Sequence, residues 1–334
     1  MDYYTIESAK IRFFLITNKY LSIKNTNMPI LPQPLNPGDT VAIVATARKV
    51  APSEIASAVK LLQQWGLHVL LAPNLYASHN QFAGTDTQRA TDLQWAIDNS
   101  DVKAILCARG GYGSVRIIDL VNFSPLLSHP KWIIGYSDVT VLHSHLHHNF
   151  QLASLHATMP INIPDDAVSH PYPSTSTLQQ LLFFGQANYS TSTHPLNRSG
   201  QASATLVGGN LSILYSLCSS PSDIDTNGKI LLIEDLDEYL YHIDRMMQNL
   251  KRSGKLSGLK GLVVGPMSDM HDNSIPFGST AEQIILHAVK DYDYPVCFNA
   301  PFGHIETDNC AIALGAPLTM RSNPDGSFLL SQQL

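Results

Sequence analysis

Lys131-Trp132-Ile133-Ile134-Gly135-Tyr136-Ser137-Asp138-Val139-Thr140 reads as a strand, a sharp turn and the start of a helix. The apolar run Trp132 to Ile134 meets Gly135 and then Ser137, and Thr140, Leu142 and Leu146 continue at helical spacing. Such a turn lifts the serine oxygen above the carboxyl end of a sheet, where the following backbone N–H groups and the positive end of the helix face the same space. Ser137 is therefore a candidate nucleophile. The serine-hydrolase elbow G-x-S-x-G is half matched, because Val139 stands where the second glycine belongs. Taken alone, the plainer reading of this stretch is a helix N-cap, for which Ser and Asp are common choices.

Upstream, strands and helices alternate. A turn over 35–39 precedes the apolar run Thr40-Val41-Ala42-Ile43-Val44-Ala45, Ser53 is placed to cap a helix that Gly66 ends, and His68-Val69-Leu70-Leu71 is the next strand. This β-α-β order implies a parallel sheet with a right-handed crossover. An amphipathic helix over 89–97 and a strand over 101–108 follow, then Arg109-Gly110-Gly111-Tyr112-Gly113 and a helix over 115–120. The G-G-Y-G spacing is not G-x-G-x-x-G, does not follow the first strand and lacks the acidic partner, so a nicotinamide-dinucleotide site is disfavoured. What the turn offers is exposed N–H groups suited to developing negative charge. His143 and His147 have metal-ligand spacing on the helix after Thr140, but without a third ligand a solvated or supporting face is the better account, and no metal is expected.

From Asn162 to Ser203 the chain is dense in Pro, Ser, Thr and Asn and reads as a connection with one helix from Leu178 to Phe184. Beyond it, Ala204-Thr205-Leu206-Val207 meets Gly208-Gly209-Asn210, and a helix begins at Leu211. Lys229-Ile230-Leu231-Leu232-Ile233 runs into Glu234-Asp235-Leu236-Asp237-Glu238. Four carboxylates in five residues repel one another, so at least one needs a cationic or imidazole partner. Further strands are expected over 259–265 and 295–298, the latter ending in a turn that carries His304, with helices over 241–250 and 280–289. The tail over 311–334 reads as β-hairpins around Asn323-Pro324-Asp325-Gly326.

At 334 residues, 44% hydrophobic and 14% charged, the chain suits two globular domains. A net charge of −6, with no basic block longer than Lys251-Arg252, argues against a nucleic-acid partner. The four cysteines (Cys107, Cys218, Cys297, Cys310) are dispersed, which indicates neither a disulfide scaffold nor a zinc cluster and fits a reducing compartment. No apolar run reaches the roughly 20 residues of a membrane span. Residues 1–27 differ from the rest and read as a poorly ordered extension or a start that belongs at Met28.

Three strand ends thus carry Ser137, Glu234 and His304, in the order nucleophile, acid, base that α/β hydrolases use. A serine hydroxyl needs a base, and the imidazole needs a carboxylate to fix its tautomer. For His304 alone, a satisfied turn residue is an equal reading.

Arg109-Gly110-Gly111-Tyr112-Gly113, Gly135-Tyr136-Ser137-Asp138-Val139-Thr140, Gly208-Gly209-Asn210-Leu211, Ile233-Glu234-Asp235 with Tyr241-His242-Ile243-Asp244-Arg245-Met246, and Phe302-Gly303-His304 together resemble the ordered motifs of the LD-carboxypeptidase family of serine peptidases. That family includes muramoyl-tetrapeptide carboxypeptidases and microcin C self-immunity peptidases. Two departures stand out: His156-Ala157-Thr158-Met159 where relatives often have His-Gly-Pro-Met, and His242 where Arg is common.

The resemblance implies an α/β fold of two domains: an N-terminal parallel-sheet, flavodoxin-like domain with the nucleophile over 30–161, and a C-terminal mixed β/α domain with acid and base over 204–334. An extension over 1–29 and a linker over 162–203 complete the expected organisation, with the active site at the junction. It implies Ser137 as nucleophile, His304 as base and Glu234 as orienting acid, with Glu238 an alternative acid or a substrate ligand. The N–H groups of Gly111 and Asp138 are the implied oxyanion donors. Arg109 and Arg245 are candidates for the substrate carboxylate, with Tyr112 and Asn210 as further binding residues. The implied activity needs no cofactor: a cytoplasmic homodimer releases terminal D-alanine from murein tetrapeptide by cutting an L-to-D bond. Alternatives are cleavage of an acyl-sulfamoyl-adenylate and a catalytically silent muropeptide sensor, the latter disfavoured by an intact Ser, Glu and His.

Overall fold

In a computed structural model that describes residues 29–334, the first half of the chain builds an open sheet. Its elements are β1 (Thr40–Val44), α1 (Pro52–Gln64), β2 (His68–Leu71), α2 (Asp86–Asp98), β3 (Val102–Cys107), β4 (Trp132–Gly135), α3 (Thr140–Phe150) and β5 (Ser154–His156). The strands pair in parallel in the order β2-β1-β3-β4-β5, the doubly wound order of a flavodoxin-like domain. Val41 to Val44 and Ala104 to Cys107 are almost wholly buried, as continuous apolar strands covered on both faces must be. The reading of residues 1–27 lies outside the described residues.

Two local expectations need correction. Ala51, not Ser53, occupies the N-cap of α1, with Pro52 in the first turn and the Glu54 carboxylate accepting the Ala51 N–H at 2.6 Å. The expected helix over 115–120 is two short 3₁₀ turns, Ser114–Arg116 and Ile118–Leu120. So few residues make too few i→i−4 bonds to offset helix nucleation.

The second half supplies α4 (Pro173–Phe184), β6 (Gln186–Ser190), β7 (Gln201–Asn210), α5 (Leu211–Leu217), β8 (Ile230–Leu236), α6 (Leu240–Arg252), β9 (Gly261–Ser268), α7 (Ala281–Ala288), β10 (Val296–Cys297), β11 (Ile312–Leu314), β12 (Ala316–Ser322) and β13 (Phe328–Gln333). A mixed sheet runs β10-β9-β8-β7-β12-β13-β6, parallel from β7 to β10 and antiparallel elsewhere. The stretch read as a connection is more structured than its composition suggests. Its helix starts at Pro173, and Gln186-Ala187-Asn188-Tyr189-Ser190 alternates exposed and buried as the edge strand β6. The tail is not hairpins throughout: β12 and β13 pair as one, whereas β11 crosses to the first sheet and lies antiparallel to β5.

Alternation along β8 joins the two halves. Ile230 and Leu232 face the core shared with the first sheet, while Leu231 and Ile233 face the layer of α5, α6 and α7. By the same period Glu234 points toward the first sheet, at the strand's carboxyl end.

Candidate active site

The nucleophile turn forms where β4 ends. Ser137 holds φ at +62°, a left-handed conformation that few non-glycine residues adopt and that clusters at functional turns. A 3₁₀ turn over Ser137–Val139 then leads into α3. The turn is braced from behind by His143, whose ring bonds the Gly135 carbonyl at 2.9 Å and the Ser154 hydroxyl at 2.7 Å. The histidine-bearing face is thus buried rather than solvated, and burial drives His143 down to about 3. His147 is buried too, and among the described residues no three His, Cys, Asp or Glu side chains gather into a metal site.

The buried Asp138 ties this turn to the glycine-rich turn after β3. Its Oδ2 accepts the Ser114 N–H at 2.8 Å, and burial pushes its carboxyl upward against that hydrogen bond. A residue that sequence reasoning overlooked, Arg89, holds the same turn from the other side. Its guanidinium is 1% exposed, donates to the carbonyls of Gly113 at 2.9 Å and Thr46 at 2.6 Å, and pairs with Asp86. The position of a buried charge on the inner face of α2 was the available signal.

The acidic strand end finds imidazole partners. Glu234, fully buried, accepts from His304 Nδ1 at 2.6 Å and from the His304 backbone N–H at 3.3 Å. Glu238 pairs with His242 at 2.5 Å, and Asp237 with His271 at 2.5 Å. Asp235 instead accepts from Asn210 Nδ2 at 2.9 Å and the Ser212 N–H at 2.8 Å. Of the two glutamates, Glu234 is the one that meets His304. Burial alone would raise the Glu234 pKa, but the facing imidazoles of His156 and His304 hold it at about 2. For His304, burial works downward and the Glu234 carboxylate wins, so its pKa lies above the ordinary imidazole value. Burial and the adjacent Glu234 charge push Asp235 up to about 7.

These strand ends share one cleft of about 520 Å³. Ser137, Asp138, Gly111, Arg109, Asn210, Glu238 and His304 all line it, and the rings of Tyr136 and His304 are 4.9 Å apart. The two halves approach closely because Gly209 has no side chain: a Cβ there would lie 2.5 Å from Thr140 Oγ1, which accepts the Asn210 N–H at 3.0 Å. Two expected binding residues do not line the cleft. Tyr112 packs against Phe82, and Arg245 sits over the Tyr241 ring. Asn210 does line it but is engaged, capping α5 and bonding Asp235. Sequence reasoning also missed Arg48, which lines the cleft from the turn after β1.

Comparison with known proteins finds relatives of this chain. The profile described as the LD-carboxypeptidase N-terminal domain matches residues 41–157, and that of the LD-carboxypeptidase C-terminal domain matches residues 203–320. The chain is 36% identical over 298 residues to a probable murein peptide carboxypeptidase of Bacillus subtilis, covering 87% of this chain and 91% of the relative. Among solved structures it is similar to the muramoyltetrapeptide carboxypeptidase of Oxalobacter formigenes, with a TM-score of 0.78 and 26% identity over 88% of this chain and 99% of the other. The microcin C7 self-immunity protein MccF has a TM-score of 0.79 at 19% identity, covering 92% of this chain and 99% of its own, a likeness of fold alone.

Proposed function

This chain belongs to the LD-carboxypeptidase family, and from that premise we propose that it is a serine carboxypeptidase that releases terminal D-alanine from murein tetrapeptide by hydrolysing an L-to-D peptide bond. The observation that carries the reading is the Glu234–His304 hydrogen bond at 2.6 Å, formed in the cleft that Ser137 lines. Because Glu234 takes Nδ1, the His304 Nε2 is left to serve the Ser137 hydroxyl.

In this mechanism Ser137 Oγ forms a bond to the scissile carbonyl carbon while its proton passes to His304 Nε2. Glu234 stabilises the imidazolium that results. The tetrahedral oxyanion rests on the N–H groups of Gly111 and Asp138, and loss of one such donor costs about 100- to 1,000-fold in kcat. His304 then returns the proton to the leaving amine, the C–N bond breaks and D-alanine departs. Water, deprotonated by the same imidazole, releases the tripeptide acid and restores Ser137. No step calls on a cofactor. The assembly and compartment that accompany this reading are a homodimer in the cytoplasm; among the described residues no helix is long and apolar enough to cross a membrane.

The test is to follow D-alanine release from muropeptide tetrapeptide without added metal or nucleotide, for wild type and Ser137→Ala. Release by the wild type that Ser137→Ala abolishes is the expected result. Equal release by both would remove the serine mechanism.

A further inference from the structure

A carboxypeptidase differs from an endopeptidase in requiring a free terminal carboxylate, and that carboxylate cannot lie far from the chemistry. Its carbon is three bonds from the scissile carbonyl carbon, less than about 4 Å away. Its receptor must therefore stand in the wall next to the oxyanion donors. We propose that Arg48 is that receptor, a specificity-determining residue that binds the substrate's terminal carboxylate; the assignment rests on the carboxypeptidase reading above.

Topology puts Arg48 in the right place. In the order β2-β1-β3-β4-β5 the strand connections reverse direction between β1 and β3, and ligands of such sheets bind in the crevice at the carboxyl ends of those two strands. Arg48 follows β1, and the Gly110-Gly111 turn follows β3. The Arg48 N–H reaches the Gly110 carbonyl at 3.5 Å. The Arg48 side chain then passes directly over Gly111: a Cβ on that glycine would lie 2.6 Å from Arg48 Cδ and 2.8 Å from its Cγ and Nε. One residue earlier, a Cβ on Gly110 would lie 3.3 Å from Ser137 Oγ. Nucleophile, oxyanion turn and arginine are thus successive neighbours along one wall, and Gly111 lacks a side chain where the arginine crosses it.

Charge singles out the same residue. Arg109 also lines the cleft, but Glu54 stands 3.7 Å from its guanidinium. Arg245 lies outside the cleft, over Tyr241. The Arg48 guanidinium is exposed and has no ion pair or side-chain hydrogen bond among the described residues. A planar guanidinium binds a carboxylate through two parallel N–H donors, which a lysine ammonium cannot reproduce. The same cleft carries the carboxylates of Asp237 and Glu238, which disfavour an anion beside them and so favour the peptide with its carboxylate toward Arg48.

The experiment compares tripeptide formation from a peptide ending in D-alanine and from its C-terminal amide, for wild type, Arg48→Ala, Arg48→Lys and Arg109→Ala, with thermal melts to establish that each variant is folded. Wild type is expected to prefer the free acid. Arg48→Ala raises KM for the acid about 10- to 100-fold and brings the acid-to-amide preference close to one. Arg48→Lys lies between them, and Arg109→Ala keeps most of the preference. Retention of the wild-type KM and preference by Arg48→Ala, or collapse of the preference in Arg109→Ala instead, overturns the assignment. A wild type that cleaves neither peptide removes the carboxypeptidase reading itself and the assignment with it, an outcome distinct from the other two.

Discussion

His156 Nε2 and Glu234 Oε1 lie 3.9 Å apart at the meeting of the two sheets, and neither side chain is exposed to solvent. The separation makes this an electrostatic contact rather than a hydrogen bond. Among the described residues, neither His156 ring nitrogen nor Glu234 Oε1 has a hydrogen-bond partner. The carboxylate is therefore held on one oxygen by His304 and faced on the other by an imidazole from β5 of the first sheet. His156→Leu replaces that imidazole with an apolar surface against a buried anion, which typically costs about 1–3 kcal/mol. The expected outcome is a kcat reduced roughly 10- to 100-fold with KM nearly unchanged, because the residue positions Glu234 and does not reach substrate. A double-mutant cycle checks it: in a Glu234→Gln background the same change is expected to cost far less, since the charge it serves is gone.

The Glu234–His304 pair also sets a pH dependence. His304 accepts a proton only when neutral, and Glu234 raises its pKa above the ordinary value of about 6.5. Activity is therefore absent below that pKa and rises as pH increases through it, with the acid limb of kcat/KM above pH ~6.5. Glu234→Gln is expected to move the limb downward and to lower kcat by roughly 10⁴-fold, as loss of the orienting carboxylate does in serine triads. A pH profile of tripeptide formation for both proteins is the measurement. The limb staying in place in Glu234→Gln contradicts the pairing.

The same carboxylate links stability to acid. Glu234 is held at about 2 in the folded chain, below the roughly 4.3 of an unfolded glutamate. A depressed carboxyl stabilises the fold above the unfolded value, and that contribution is lost as pH falls from about 4.3 toward 2. Thermal melts of wild type and Glu234→Gln across this interval are expected to converge as the pH drops, because the variant has no proton to take up.

Arg89 supports the oxyanion turn from beneath. Its two backbone acceptors, Gly113 and Thr46, lie on the turns after β3 and β1, so one buried cation fixes the relative position of both. Arg89→Met keeps much of the volume and removes every donor. A loss of about 2–3 kcal/mol is expected, in the range for hydrogen bonds to charged groups, with kcat falling more than KM changes because Gly111 is no longer held. Chemical denaturation and steady-state kinetics on the same preparation separate the two effects.

What was legible in the sequence follows from how local each signal is. Ser137 and the glycine-rich turn are marked by neighbours within a few residues, and the parallel β-α-β order shows in hydrophobic periodicity, so both were readable. The choice between Glu234 and Glu238 was not, because it depends on which of them faces His304, a residue seventy positions away. The crossing of β11 to the first sheet, and the pairing of β6 with β13, are long-range edge pairings with no local mark. Arg48 carries no local mark, and His156 shows in the sequence only as part of a motif that departs from its relatives; the role of each emerges when another strand's turn or another sheet's carboxylate is laid against it. For His143 the sequence leaves a solvated and a supporting face open, because a buried histidine and a solvated one look alike until the Gly135 carbonyl and Ser154 hydroxyl come into view and decide for support.

The closeness of the two sheets makes the final prediction. Gly209 has φ +131°, and a Cβ on it would lie 2.5 Å from Thr140 Oγ1 and 3.0 Å from Thr140 Cγ2. Gly209→Ala must therefore push the end of β7 away from the start of α3, and overpacking of this kind costs about 1–3 kcal/mol. Ser137 stands just before α3 and Glu234 beside Asn210 on β8, so the displacement widens the gap between nucleophile and acid as well as lowering stability. Thr140→Ala removes both clashing atoms while also removing the acceptor of the Asn210 N–H, so alone it is mildly damaging. The double variant is expected to recover part of the kcat and melting temperature lost in Gly209→Ala, an interaction of opposite sign to the two single effects. If Thr140→Ala instead adds its own loss to that of Gly209→Ala, steric contact between these two residues is not what sets the approach of the sheets, and left-handed strain at residue 209 alone accounts for the cost.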